Sequence, residues 1–159
     1  MRPDFKFLFA HPAHLIAFGF GSGLAPKAPG TVGTLLGLPL FWLIAAASPD
    51  LMSRIVLLVA AFLLGVWACG RTGRALGVAD HGGMVWDEIA AYALVLLFTP
   101  SGWLWLGLAF ALFRLFDILK PWPIRLADQR LKGGFGVMFD DLLAAGYAIA
   151  VIKGLQWLV

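Results

Sequence analysis

Acidic and basic residues are concentrated in one stretch of this otherwise apolar chain, "FRLFDILKPWPIRLADQRLKGGFGVMFDD", residues 113–141. Arg114, Asp117 and Lys120 follow one another at intervals of three, so on a helix each can contact the next. The Pro-Trp-Pro segment after them predicts the end of that helix, and "KGGFG" predicts a flexible loop. A solvated interfacial loop with surface ion pairs is the alternative, but ionisable residues beside membrane segments usually have a function. Two further acids are expected to begin the last helix: Asp140 and Asp141.

A second group of acids lies in "DHGGMVWDEIAAY", residues 80–92. Asp87 and Glu88 are predicted in the first turn of a helix, where acids often only complement the helix dipole. Paired acids beside a short membrane helix are less usual, and carboxylate oxygens are ligands that Mg²⁺ prefers. His81 is a candidate for substrate binding or acid–base catalysis, although a structural hydrogen bond is the commoner role of a lone histidine.

The third group is a glycine-rich stretch with one lysine, "GFGSGLAPKAPGTVGT", residues 19–34. Glycine allows backbone N–H groups to approach a ligand closely, and Lys27 adds a positive charge. Thr31 is predicted near the start of the first long helix, where free N–H groups favour an anion. The Walker A order is absent, and a Pro/Gly loop entering a membrane helix is an equal alternative. The candidates for substrate binding in this stretch are Gly21, Ser22, Gly23 and Thr31.

Together the three groups supply the two kinds of side chain that phosphoryl transfer to water requires. Carboxylates can hold a divalent cation, which polarises P–O bonds and activates water, while cationic side chains offset charge on the phosphate oxygens. The candidate metal ligands are Asp87, Glu88, Asp117, Asp140 and Asp141. The candidate catalytic residues are Lys27, Asp87, Asp117, Lys120 and Asp141, and Arg114 and His81 complete the candidates for binding the substrate.

The composition indicates that these groups belong to a membrane protein. Of the 159 residues, 61% are hydrophobic and 13% are charged, and the mean hydropathy is +0.88, whereas a soluble domain has about 25% charged residues. The net charge of +3 suits anionic phospholipid headgroups better than nucleic acid, since no basic stripe with stacking aromatics is present. The lone Cys69 cannot form an internal disulfide and is interpreted as a buried apolar side chain.

We predict a single domain, residues 1–159, with an all-α fold: a compact, membrane-integrated bundle of about five helices. A short N-terminal helix is expected at the membrane interface, with phenylalanines directed inward and Lys6 near the headgroups. The third and fourth apolar segments are short, which places neighbouring charges close to the membrane surface. The five apolar segments are roughly Thr31–Ala47, Leu51–Gly70, Ile89–Phe98, Trp103–Phe116 and Leu142–Val159.

The distribution of Lys and Arg predicts that all three groups face the cytoplasm. The connections "SPD" and "TPSG" contain neither residue, although Arg54 follows the first closely. The other loops carry six bases, namely Lys27, Arg71, Arg74, Arg125, Arg130 and Lys132. By the positive-inside rule the basic loops are cytoplasmic. Two complete hairpins then bring the three charged groups to one face of the membrane.

In sequence order, the motifs "GSGLAPKAPGTVGT", "DHGGMVWDE" and "FRLFDILKPWPI…GGFGVMFDD" resemble the phosphatidylglycerophosphatase A family. The resemblance implies an all-α enzyme of the bacterial cytoplasmic (inner) membrane that depends on Mg²⁺. It also implies the conversion of phosphatidylglycerophosphate and water into phosphatidylglycerol and inorganic phosphate.

Other classes of membrane protein fit the sequence less well. Acid-phosphatase-like lipid phosphatases need a histidine nucleophile, but the "PSG" here is followed by Trp103. CDP-alcohol phosphotransferases need repeated Asp-Gly pairs, which the chain lacks. A non-catalytic membrane scaffold or an ion-binding transporter subunit would explain the helices and charges, but not why a glycine-rich lysine loop accompanies two acidic groups.

Overall fold

The computed structural model describes residues 3–158, in which every regular element is helical. The all-α prediction is therefore confirmed, but the count of about five helices is wrong, because the described part contains nine helical elements. They are α1 (Phe5–Phe9), α2 (Pro12–Ala17), a 3₁₀ helix (Gly19–Leu24), α3 (Pro29–Ala47), α4 (Leu51–Leu76), α5 (Trp86–Leu97), α6 (Trp103–Leu119), α7 (Ile124–Arg130) and α8 (Gly133–Leu158).

The additional elements are short, and two of them, α1 and α2, begin with local capping interactions rather than long apolar runs. Asp4 Oδ1 accepts a hydrogen bond from the Phe7 N–H at 2.8 Å at the start of α1. His11 Nδ1 accepts the Ala13 N–H at 3.0 Å at the start of α2, where Pro12 occupies the first helical position, a site that proline favours. Hydropathy identifies the five long helices α3, α4, α5, α6 and α8, but it does not register such short segments.

The predicted flexible loop at residues 132–136 is wrong, because α8 already begins at Gly133. Asp140 and Asp141 consequently lie two turns inside this helix rather than at its start. A side chain at Gly134 would collide with the Val66 carbonyl and Gly70 of α4. Glycine thus allows α8 to cross α4 at close range, and this contact offsets its low helix propensity.

Helix α5 is the centre of the bundle and is buried around almost its whole circumference. It contacts α3, α4, α6 and α8. On α3, Gly30, Gly33 and Gly37 form a stripe along the face that meets α5. A Cβ atom at Gly33 would lie 2.6 Å from Val85 Cβ, and one at Gly37 would lie 2.9 Å from the Ile89 carbonyl oxygen. The stripe therefore brings the backbone of α3 directly onto the start of α5.

The N-terminal helices pack against α4. His14 Nδ1 lies 3.0 Å from Thr72 Oγ1 in a buried contact, and the Phe7 ring stacks on the His14 ring with centroids 4.3 Å apart. Phe7 is thus directed inward as expected, whereas Phe5 and Phe9 are exposed. These exposed rings suit a helix that lies at a membrane interface.

Within residues 3–158, three helices are long and apolar enough to cross a membrane, namely α3, α4 and α8. Helix α5 has 12 residues and α6 has 17, so both are shorter than a usual crossing. Trp42, Trp103 and Trp157 are exposed at the end of the bundle opposite to the acids, and tryptophan favours the membrane–water interface. These features support a membrane protein with its polar groups gathered at one end.

We expect the α3–α4 turn and helix α7 to lie on opposite sides of the membrane. Pro49→Cys and Gln129→Cys place a thiol in each exposed region, and a membrane-impermeant maleimide applied to spheroplasts should label only the former. The unmodified protein is the control, since its Cys69 is buried. Labelling of both variants from the same side would contradict the proposed topology.

Candidate active site

The site is built around the first turn of α5, which contains Asp87 and Glu88. This turn is fixed by the Val85 N–H, which donates to the Ala17 carbonyl oxygen at 2.8 Å. Asp87 is only 9% exposed, although acids are rarely buried without a partner. The predicted position of both acids at the start of this helix is confirmed.

Arg114 of α6 joins two of the acids in one partly buried ion-pair network. Its Nη1 atom lies 3.2 Å from Glu88 Oε1 and 2.5 Å from Asp117 Oδ2. Gly30 of α3 packs directly against the Glu88 carboxylate, so any side chain at this position would displace it. Helices α3, α5 and α6 therefore meet at this network, and Arg114 orients both carboxylates.

Lys120 forms a second network with acids that follow it in the sequence. Its Nζ atom donates to Asp128 Oδ1 at 2.8 Å and to Asp140 Oδ2 at 2.5 Å. Lys120 ends α6 with φ of 43° in the left-handed region, and the chain then turns into α7. Because of this turn, Lys120 pairs with α7 and α8 rather than with Asp117, the partner that a continuous helix would give it.

Four buried carboxylate oxygens within residues 3–158 have no hydrogen-bond partner: Asp87 Oδ1, Glu88 Oε2, Asp140 Oδ1 and Asp141 Oδ2. The charges of Asp87 and Asp141 are close enough to repel each other. Within residues 3–158, neither Asp87 nor Asp141 forms an ion pair. Glu88, Asp117 and Asp140 each form one. Uncompensated buried charges of this kind are costly, so a bound cation would relieve the repulsion.

The donor set fits Mg²⁺, because that ion prefers oxygen ligands and binds through one or two carboxylates with water and phosphate completing its shell. Across the described residues, however, no three His, Cys, Asp or Glu side chains are gathered as a preformed metal centre. Glu88 and Asp117 are instead paired with Arg114, and Asp140 is paired with Lys120. All five predicted ligands still lie in the two adjoining networks or beside them.

The glycine-rich stretch is attached to the same end of the bundle. Gly23 packs against the Gly83 carbonyl oxygen and joins this stretch to the "DHGGMVWDE" segment. Ser22 Oγ donates to the Gly19 carbonyl oxygen at 2.9 Å, so it stabilises the local turn. Lys27 is exposed in the loop that leads into α3, and Thr31 lies in the first turn of that helix. Gly21 has φ of 106°, a conformation that requires glycine.

His81 has a structural contact in this arrangement. Its Nδ1 atom accepts the Gly83 N–H at 3.0 Å, and its carbonyl oxygen accepts the Met84 N–H at 2.7 Å. These two bonds shape the turn that precedes α5. The role of His81 in substrate binding stays a prediction. Its other ring nitrogen, Nε2, makes neither of these two bonds.

Two acids that the site prediction omitted, Asp80 and Asp128, border a polar cleft of about 210 Å³ at this end of the molecule. Lys132 also borders the cleft and donates to the Asp128 carbonyl oxygen at 3.2 Å. Both acids lie within the charged motifs of the sequence, but spacing alone could not show that Asp128 forms an ion pair with Lys120.

Comparisons with known proteins identify the family of the chain. The family model described as phosphatidylglycerophosphatase A matches residues 15–156. A phosphatidylglycerophosphatase A from Haemophilus influenzae is 47% identical, and the match covers 98% of this chain and 96% of the relative. A protein of the same name from Escherichia coli is 40% identical over 90% of this chain and 83% of its own.

A Bacteroides thetaiotaomicron protein named for a phosphatidylinositol-3-phosphatase is 38% identical, with 91% of this chain and 94% of the relative covered. No solved structure matches the chain. The family match and the two relatives of the same name confirm the resemblance carried by the three motifs: the chain belongs to the phosphatidylglycerophosphatase A family.

Proposed function

We propose that this protein is a Mg²⁺-dependent lipid phosphatase of phospholipid biosynthesis. It hydrolyses the terminal phosphate monoester of phosphatidylglycerophosphate to phosphatidylglycerol and inorganic phosphate. Membership of the phosphatidylglycerophosphatase A family supports the phosphatase activity. The observation that carries the proposal is that all three motifs converge on buried acids and bases at one end of an apolar bundle.

In this proposal Asp87 and Asp141 are the first ligands of Mg²⁺, because their free oxygens are buried and neither acid forms an ion pair within residues 3–158. The unpartnered oxygens of Glu88 and Asp140 are available beside them, and Arg114 holds Asp117 in position. When bound, Mg²⁺ polarises the P–O bonds and makes water a better nucleophile.

Positive side chains are needed as well, because a phosphate monoester carries close to two negative charges at neutral pH. Lys27 in the glycine-rich loop, Lys120 and Arg114 are the proposed phosphate ligands. Lys120 already joins two acids at the site, so it can connect the metal ligands to the phosphate. Lys27 is exposed and can follow the phosphate as its geometry changes.

The proposed location is the bacterial inner membrane, with several helices crossing it and the active site at the cytoplasmic face. The three candidate membrane-spanning helices support the membrane location. The basic loops at the acidic end support the cytoplasmic orientation. Anionic phospholipid headgroups around that end are the proposed contacts of its exposed bases.

We expect the purified protein in neutral detergent micelles to release inorganic phosphate from phosphatidylglycerophosphate when Mg²⁺ is added. Treatment with EDTA should abolish release, because the acids then repel the phosphate, and renewed Mg²⁺ should restore it. Phosphatidylinositol 3-phosphate and phosphatidic acid serve as competing substrates, since one relative is named for a different headgroup. Absence of phosphate release from every lipid would favour a membrane scaffold or transporter subunit.

A further inference from the structure

An apolar groove of about 170 Å³ runs along α5 between α4 and α8. Asp87 lies at the end of the groove that adjoins the buried acids, and Leu94 of α5 lines the groove farther from those acids. From Asp87 to Leu94 the helix rises about 10 Å. The other walls include Leu58, Val59 and Phe62 of α4 and Met138 of α8. A cavity of about 150 Å³ can hold benzene, so the groove has room for roughly six carbon atoms.

Small residues on α5 create this space. Ala90 and Ala91 line the groove where larger side chains would fill it. Val59 at the rim is 52% exposed, and both flanking helices are candidate membrane spans. The groove is therefore open sideways, at a depth where its surroundings are lipid rather than water.

The end of the groove that contains Asp87 is polar, whereas the remainder of the groove is apolar. Asp87 is the only polar residue among those that line it, and its buried Oδ1 atom has no partner in the described part of the chain. A second apolar cavity of about 200 Å³, bordered by Leu40, Leu43 and Trp86, has no acid in its lining. Of these two cavities, the first is thus the one that connects an apolar path with the buried acids.

We infer that the groove between α4, α5 and α8 binds an acyl chain of the lipid substrate and thereby guides its phosphate to Asp87 and Asp141. This inference rests on the proposed function. The groove suits a hydrocarbon chain because its walls are apolar and it opens to the membrane, where lipid tails are the available ligand. Its continuity with the acids places the polar end of the same ligand beside Asp87, and in the proposed function that polar end is the headgroup that bears the phosphate.

Val59→Trp should block the groove from its rim, and Val56→Trp is the matched control. Both valines are on α4 and are more than half exposed, 52% and 59% respectively, but only Val59 lines the groove. We expect Val59→Trp to lower kcat/KM for phosphatidylglycerophosphate with long acyl chains by roughly tenfold or more, because losing two buried methylene groups has that effect. Turnover of the acyl-free headgroup, glycerophosphoglycerophosphate, should stay unchanged in both variants.

Photo-crosslinking provides a measurement that does not require turnover. Phosphatidylglycerophosphate with a diazirine in one acyl chain should label peptides of α4, α5 and α8 that line the groove. Val59→Trp should reduce this label, and Val56→Trp should not. Groove labelling without phosphate release from any lipid would contradict the proposed function while supporting the acyl-chain site. Equal losses of activity in both variants, or label spread evenly over the lipid-facing helices, would overturn the inference.

Discussion

Asp87→Asn and Asp141→Asn should each lower kcat by about 10²-fold or more, while the unfolding temperature stays the same or rises. Each substitution removes a buried negative charge whose free oxygen has no partner in the described residues. Removing such a charge relieves repulsion in the folded protein, whereas loss of a metal ligand removes stabilisation of the transition state. Phosphate release and thermal unfolding, measured on the same detergent-purified samples, test both effects.

Asp50→Asn is the matched control for these variants. Asp50 lies at the opposite end of the bundle, where it accepts the Ser53 N–H at 2.9 Å, and asparagine caps a helix about as well as aspartate. The control should therefore retain both activity and stability. Near-normal activity in both Asp87→Asn and Asp141→Asn would remove the metal-site proposal. A large loss of stability in either would assign that acid to the packing of the bundle.

Lys120→Met should lower kcat/KM by about 10²-fold or more, the scale expected for losing one electrostatic donor to the phosphate. The Mg²⁺ concentration for half-maximal activity should change much less, because the proposed metal ligands remain. The variant also leaves the buried Asp140 without its cation, which costs about 1–3 kcal/mol of the free energy of unfolding. Activity and unfolding must therefore be measured together in neutral detergent micelles.

Lys120→Arg and Lys27→Met separate catalysis from stability. Lys120→Arg keeps the charge and should recover much of the activity. Lys27 is exposed, so Lys27→Met should lower kcat/KM about as far as Lys120→Met without reducing stability. If both lysines merely attract anionic headgroups, worth about 1 kcal/mol each, both Met variants should be close to wild type in neutral micelles. That result would exclude catalytic lysines.

The charge of Lys120 should be constant throughout the neutral pH range. Burial alone would lower its pKa, but hydrogen bonds and the charges of Asp128 and Asp140 raise it above the ordinary value. Its contribution to stability is thus fully present below the unfolded-state pKa of about 10.4 and is lost only as the pH rises through the higher folded-state pKa. A change in activity near neutral pH must therefore come from other groups.

Local spacing in the sequence was sufficient to predict some of the contacts at the site. Arg114 and Asp117 are three residues apart within one continuous helix, and they form the expected ion pair. The two acids of α5 likewise stand in its first turn as predicted. Such contacts depend on helix geometry alone, which repeats reliably over a few residues.

Contacts that depend on chain reversal could not be predicted in this way. Lys120 adopts a left-handed conformation at the end of α6, and this turn brings it to Asp128 and Asp140 instead of Asp117. Gly134 lies inside α8 in close contact with α4, a tertiary contact that outweighs local propensity. Both differences arise from packing between segments that are distant in the sequence. Hydropathy and residue spacing describe only local sequence, so they could not predict this packing.

The shortness of the central helix affects the access of water to the site. With 12 residues, α5 is about 18 Å long, whereas the hydrocarbon layer is about 30 Å thick. Because α5 is enclosed by the longer helices α3, α4, α6 and α8, the difference in length is accommodated inside the bundle, by a polar depression that reaches down to its first turn. Such a depression admits water to a depth that is normally dry. For a hydrolase that water is the second substrate, so the length of one helix provides its route to the buried acids.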